Sequence, residues 1–153
     1  HLAREAASAG VDPARLVFSQ ADSSPVFGCT RLPDLFLDPL RISAARGLEE
    51  ALRMGVPALS CAGDSVASRM GGSMLHAASL PECVLGSQQA YIAEAVRLGS
   101  DANARRLLRE RLLAVTPNAA LFNVQARVRE REEAWAGMTV RAQSGLPSVA
   151  MDL

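Results

Sequence analysis

Histidine, cysteine and any imbalance of charge are what this sequence has least of. Its 153 residues include two histidines, His1 and His76, and three cysteines, Cys29, Cys61 and Cys83. Two histidines give no support to a Ser-His-Asp triad or a histidine-based metal centre confined to this chain. An odd set of cysteines without CxxC spacing argues against a disulfide framework or a zinc site. It points instead to a reducing compartment, and hence to a cytoplasmic protein. Cys61 and Cys83 lie in apolar runs and read as small buried hydrophobes. Lysine plus arginine and aspartate plus glutamate balance at 16 each. A nucleic-acid surface or a polybasic membrane surface needs a clustered positive field, so neither partner is expected. No run approaches the ~20 apolar residues of a membrane span, and the N-terminus has no signal-peptide core. Repeats and low-complexity segments are absent as well.

What is present is the length of one domain and the pattern of an α/β fold. Short apolar runs alternate with helix-like stretches, as in a Rossmann-like parallel sheet flanked by helices. The candidate strands are Leu16-Val17-Phe18-Ser19, Leu35-Phe36-Leu37, Ala58-Leu59-Ser60 and Cys83-Val84-Leu85. Ser43 is placed to cap a helix that buries Leu48 and Leu52, and Gly55 followed by Pro57 stops it. Asp64 or Ser65 starts the next helix, with Val66, Met70, Met74 and Ala77 as its apolar stripe. From about residue 87 the strands cease and the chain becomes helical. Residues 87–98 are expected to bury Tyr91, Ile92, Ala95 and Val96, and residues 101–115 to bury Ala104, Leu107, Leu108 and Leu112. A last helix near residues 118–138 aligns Leu121, Val124, Val128, Trp135 and Met138. Its Arg129-Glu130-Arg131-Glu132-Glu133 run reads as a solvated face. The lobe is assigned to residues 1–140 and an extended tail to residues 141–153. At the other end, residues 2–9 form a helix ended by Gly10, with no strand before it. Since an α/β lobe normally opens on a strand, the chain is expected to begin inside a domain.

In open α/β sheets ligands sit beyond the carboxyl ends of the strands, facing helix N-termini. Two crossings qualify. The first runs from Asp38 through Pro39, Arg41, Ser43, Ala44, Ala45, Arg46 and Gly47 into the helix carrying Glu49 and Glu50. Free backbone N–H groups and the positive end of the dipole suit a diphosphate there. Arg46 adds a cation, Gly47 permits close approach, and Glu50 can accept hydrogen bonds from two ribose hydroxyls. Equally, acids early in a helix stabilise its dipole with no ligand at all. The second crossing, Cys61-Ala62-Gly63-Asp64-Ser65, enters a helix where Arg69 and Ser73 share a face with His76 nearby. Gly71-Gly72 inside that helix costs roughly 2 kcal/mol against alanines, which tight helix–sheet packing or ligand approach would offset. His76 alone reads more simply as a satisfied or exposed histidine than as a base.

The segments GVDPARLVFS (residues 10–19), LPDLFLDP (32–39), EALRMGVPALS (50–60), AGDSVASRMGGSMLHAASLPE (62–82) and ALFN (120–123), with a weaker GLPSVAMDL end, follow one another in an informative order. Together they resemble the C-terminal lobe of the protein O-GlcNAc transferase and SPINDLY-like glycosyltransferase family. The resemblance implies a GT-B architecture whose C-terminal lobe holds a nucleotide sugar, UDP-GlcNAc or GDP-fucose. The sugar passes to Ser/Thr of proteins without a metal ion, and the acceptors are met through an upstream TPR region. It assigns nucleotide-sugar binding to Arg46, Gly47, Glu50, Ala45 and Ala21, leaves Arg69 and Ser73 as further candidates, and places no catalytic residue in this segment. The departures are pointed. Where the family carries a Gly-His-Thr-Thr or Gly-Thr-Thr-Thr phosphate loop, this sequence has Ala44-Ala45-Arg46-Gly47. The family's lysine, histidine and arginine near the nucleotide fall approximately on Ser23, Val26 and Cys29. Glu50 keeps the ribose-binding acid, as a glutamate like that of the SPINDLY branch. A degenerate, non-catalytic lobe serving as a scaffold or interaction domain therefore stands as the alternative, and an unrelated α/β binding module as a third reading.

Overall fold

A computed structural model describes residues 1–18 and 33–149 of the chain. Two compact units are present, His1–Thr30 and Arg31–Leu153. In the first, helix α1 spans Leu2–Ser8 and Gly10 takes φ +74° just beyond its end. That left-handed turn favours glycine. Asp12 then accepts a hydrogen bond from the Ala14 N–H at 2.9 Å and starts a 3-10 turn, Pro13–Arg15. The strand expected at Leu16-Val17-Phe18-Ser19 is not found. Among the described residues no strand pairs with Leu16, Val17 or Phe18, and Val17 and Phe18 are exposed; Ser19 lies outside the described residues. An apolar run becomes a strand only when a neighbour takes up its hydrogen bonds.

The second unit is built on a three-stranded parallel sheet in the order β1-β2-β3. The strands are β1 (Phe36–Leu37), β2 (Ala58–Cys61) and β3 (Val84–Leu85). Phe36 stands opposite Ala58 and Leu37 opposite Leu59, while Ser60 and Cys61 face Val84 and Leu85. β2 is the centre and is buried along its whole length. Each strand leads into a helix: α2 (Ala45–Arg53), α3 (Val66–Ala77) and α4 (Gln88–Ser100). After them come α5 (Ala102–Val115), 3-10 turns at Thr116–Asn118 and Ala120–Phe122, and α6 (Val124–Gln143). Leu48, Leu52, Leu59, Leu75, Leu80, Leu98 and Leu112 form the core, each essentially inaccessible. At ~1.5–3 kcal/mol for each fully buried side chain, this cluster is the main stabilising term.

The helix boundaries follow local chemistry. Gly55, at φ +70°, ends α2, and Ser65 opens α3 in a reciprocal capping box with Ser68. Ser87 caps α4, Asp101 caps α5, and Asn123 of the ALFN segment caps α6. α6 continues to Gln143, past the expected start of the tail at Arg141.

The buried faces differ from the sequence expectation in four helices. In α3 the fully covered residues are Ser68, Gly71, Gly72 and Leu75; of the expected stripe Met74 and Ala77 are half-buried, while Val66 and Met70 are exposed. The smallest side chains face the sheet because this helix lies too close to it for larger ones. In α4, Tyr91 and Leu98 are buried while Ile92 is 52% and Val96 63% exposed. In α5 Leu112 is buried and Ala104 and Leu108 pack against the core as expected, and the departure is Leu107, which is exposed. In α6 the stripe of Val124, Val128, Trp135 and Met138 is exposed and only Ala134 is covered. Periodicity sets which residues share a face, but not how near the neighbouring element comes.

Candidate functional site

The loop joining β1 to α2 is organised by one carboxylate. Asp38 follows β1 directly and is 1% exposed. Its Oδ1 accepts hydrogen bonds from the Ser43 hydroxyl at 3.0 Å and from the Ala44 N–H at 2.9 Å. Its Oδ2 accepts from the Ser60 hydroxyl of β2 at 2.8 Å. Tyr91 of α4 donates its hydroxyl to the Asp38 main-chain oxygen at 3.0 Å. Burial pushes the Tyr91 phenol above its ordinary range, and the neighbouring Asp38 charge adds to that. Three donors on a buried carboxylate offset the cost of removing it from water.

Glycine completes the arrangement. A Cβ on Gly71 of α3 would fall inside the contact distance of Asp38 Oδ2, and would lie 2.7 Å from the Ser60 Oγ and 2.9 Å from the Asp38 Cγ. Of Gly72, a Cβ would meet Val84 at 3.3 Å. Close packing thus offsets the helix cost of the glycine pair.

Ser43 was expected to cap α2, but its hydroxyl is held by Asp38 instead. Ala44 occupies the cap position at φ −82°, ψ 55°, and α2 begins with no side-chain cap. The first helical bond runs from the Leu48 N–H to the Ala44 oxygen. The N–H groups of Ala45, Arg46 and Gly47 therefore have no carbonyl partner within the helix. Arg46 lies on the outer side, its side chain 79% exposed. It donates through Nε to Glu50 Oε1 at 3.3 Å, one turn further on. The Glu50 side chain is 22% exposed, and its Oε2 is enclosed with no donor among the described residues. Ala45, Arg46, Gly47 and Glu50 thus come together on the first turns of α2. Ala21, Ser23, Val26 and Cys29 lie outside the described residues.

Arg69 and Ser73 come together elsewhere. With Ala62, Gly72, His76 and Val84 they line a depression of 160 Å³ beside β3, to which no residue of α2 contributes. His76 is exposed there. The loop preceding α2 nevertheless touches the first turn of α3, since the Ser43 N–H donates to the Ala67 oxygen at 3.0 Å. Cys61 and Cys83 are buried free thiols, and burial pushes the Cys83 thiol up to about 12. Among the described residues no three His, Cys, Asp or Glu side chains are grouped to hold a metal ion. No helix described is long and apolar enough to cross a membrane.

The family model for glycosyl transferase family 41 matches residues 1–130. The chain belongs to that family. It is 32% identical over 149 residues to a UDP-N-acetylglucosamine--peptide N-acetylglucosaminyltransferase of Caenorhabditis elegans, covering 96% of this chain and 13% of that protein. An O-GlcNAc transferase mutant from Thermobaculum terrenum has a similar structure, with a TM-score of 0.78 and 31% identity. That match covers 90% of this chain and 26% of the other. The family 41 chain thus spans a minor part of either relative. Its parallel sheet and flanking helices are the α/β fold expected from the strand pattern, and its place among glycosyltransferases is the one the linked motifs pointed to.

In the sequence Asp38 marks the start of the crossing without a role, Ser60 belongs to a strand and Tyr91 to a buried helix face, and nothing there links the three as one site. An acid that closes an apolar strand immediately before proline was the available signal for Asp38. Its partners are 22 and 53 residues away for Ser60 and Tyr91, beyond any local pattern.

Proposed function

We propose that this family 41 chain is the donor-binding lobe of a protein O-glycosyltransferase of GT-B architecture. It holds the diphosphate of UDP-GlcNAc or GDP-fucose at the start of α2. The observation that carries this reading is an α2 N-terminus left without a side-chain cap beside Asp38 and flanked by Arg46 and Glu50. In metal-independent transfer, charge developing on the leaving diphosphate must be met by protein donors. The N–H groups of Ala45, Arg46 and Gly47 supply them, and the Arg46 guanidinium can pair bidentately with phosphate. Glu50 Oε2, enclosed and without a donor, is the oxygen that ribose hydroxyls would satisfy. Its glutamate identity favours the SPINDLY-like branch. This chain supplies donor binding and no acid–base group. Transfer to Ser/Thr takes place in a longer, cytoplasmic protein that meets its acceptors through a TPR region. Arg69 and Ser73 form a separate, secondary patch of the same lobe.

One observation favours the alternative of a scaffold that has lost its donor. Arg46 is already paired with Glu50, and Ala44 and Ala45 offer no hydroxyl to a phosphate. Calorimetric titration of the complete protein with UDP, UDP-GlcNAc and GDP-fucose separates the two. Binding that weakens about tenfold or more in Arg46→Ala and in Glu50→Ala, the effect of losing a charged contact worth ~1.5–3 kcal/mol, supports the donor site. Absence of binding by all three nucleotides leaves the scaffold reading.

A further inference from the structure

We infer that Asp38 is a positioning residue for the donor diphosphate, acting by withholding the natural cap of α2. This rests on the donor-site reading given above. The sequence Ser43-Ala44-Ala45-Arg46 is an ordinary helix start, in which a serine hydroxyl would accept from the N–H groups of the first turn. Asp38 prevents this in two ways. It draws the Ser43 hydroxyl toward itself as a donor, at 3.0 Å. It also grips the Ala44 N–H at 2.9 Å and holds that residue at φ −82°, ψ 55°, outside the helix. α3 and α4, by contrast, are closed by Ser65 and Ser87, whose hydroxyls accept from the backbone of their own first turns.

The carboxylate is anchored independently of α2. Ser60 holds Oδ2 from the centre of the sheet, Tyr91 holds the main-chain oxygen, and Gly71 is the only residue type that leaves room beside it. Asp38 is therefore a fixed point from which the α2 entrance is hung. It acts through Ser43 and Ala44 to keep the Ala45, Arg46 and Gly47 N–H groups open for an anion.

The test uses the complete protein and compares the affinity for UDP with that for uridine, and for GDP with that for guanosine. The ratio isolates the diphosphate. In Asp38→Ala the released Ser43 closes the helix, and the diphosphate preference falls about fivefold, the equivalent of one cap at ~1 kcal/mol. Adding Ser43→Ala to Asp38→Ala restores the ratio to within about twofold of wild type, because no hydroxyl is left to compete. Ala44→Ser, at an exposed position, installs a cap without touching Asp38, so it is informative even where Asp38→Ala does not fold. It lowers the ratio by about the same factor while raising the unfolding midpoint. Equal loss of nucleoside and nucleoside diphosphate in Asp38→Ala, failure of Ser43→Ala to restore the ratio, or an unchanged ratio in Ala44→Ser overturns the inference. Wild-type protein that binds neither diphosphate overturns the donor-site reading itself, a distinct result.

Discussion

Replacing Gly71 by alanine sets two well-characterised effects against each other. Alanine in a helix interior is favoured over glycine by roughly 1 kcal/mol, so propensity alone predicts a more stable protein. Against this stands the space at Gly71, where a Cβ would lie 2.7 Å from the Ser60 Oγ, 2.9 Å from the Asp38 Cγ and closer still to Oδ2. None of these atoms belongs to a long, flexible side chain. If the carboxylate gives way, it loses the Ser60 hydroxyl at 2.8 Å and disturbs the bonds to Ser43 and Ala44. Each hydrogen bond to a charged acceptor contributes ~1.5–3 kcal/mol. If α3 moves out instead, Gly72 and Leu75 lose contact with the sheet, and overpacking of this kind costs ~1–3 kcal/mol. The net expectation is a loss of about 0.5–2 kcal/mol once the ~1 kcal/mol propensity gain is subtracted. Denaturant unfolding of the full chain, followed by far-ultraviolet circular dichroism, reads the difference. Gly99→Ala in α4 is the paired control, because a Cβ there meets nothing within 4 Å. It should be neutral or stabilising by up to ~1 kcal/mol. A Gly71→Ala protein as stable as wild type, or shifted like Gly99→Ala, would refute the account of why α3 carries glycine.

Three further outcomes are expected. Tyr91→Phe removes a buried hydroxyl that donates to Asp38 at 3.0 Å, and should cost about 1 kcal/mol in the same unfolding assay; an unchanged midpoint contradicts the assignment. Cys83 and Tyr91 are acids whose folded pKa values lie above their ordinary values of 9.0 and 10.0, the thiol at about 12. The unfolded chain therefore releases these protons first, so the stability they contribute is complete below about pH 9 and drains away as the pH rises toward 12. For the thiol the loss is on the order of 1.4 kcal/mol per pH unit across that window. Thermal melts from pH 7.5 to 11 should show it, and Cys83→Ala should flatten the slope. In a Cys29→Ser background, the buried Cys61 and Cys83 should resist a thiol reagent in the native protein and react on unfolding; rapid native labelling would show that the core opens.

Much of the lobe was legible because its determinants are local. The strands at Phe36–Leu37, Ala58–Cys61 and Val84–Leu85 stand where short apolar runs end in aspartate or glycine. Gly55, Ser65, Ser87 and Asp101 mark helix ends by chemistry that acts within four residues. The faces of α3 and α4 were misread because burial depends on how closely the sheet approaches, which periodicity does not encode. Ser43 shows the limit most clearly. Its position is that of a cap, yet an acid five residues earlier competes for it and prevails. For the site, the grouping of Arg46, Gly47 and Glu50 followed from helix spacing. The pairing of Arg46 with Glu50, one turn apart, was equally local and was overlooked in favour of a ligand. The Asp38 network joins strands and helices that only the folded chain brings together.

That network also bears on the order in which the protein folds. Beside its local bonds to Ser43 and Ala44, it joins residue 38 to residues 22 and 53 positions away, so it is complete only when both crossovers have docked on the sheet. Caps and the leucine cluster, by contrast, reward partial structure as soon as a helix meets its strand. The long-range part of the Asp38 junction is therefore expected to be a late contact, largely unmade at the folding barrier. Damage to it should speed unfolding far more than it slows folding. Placed between the sheet and α2, it makes the entrance to the candidate site one of the last parts of the lobe to close and one of the first to come apart.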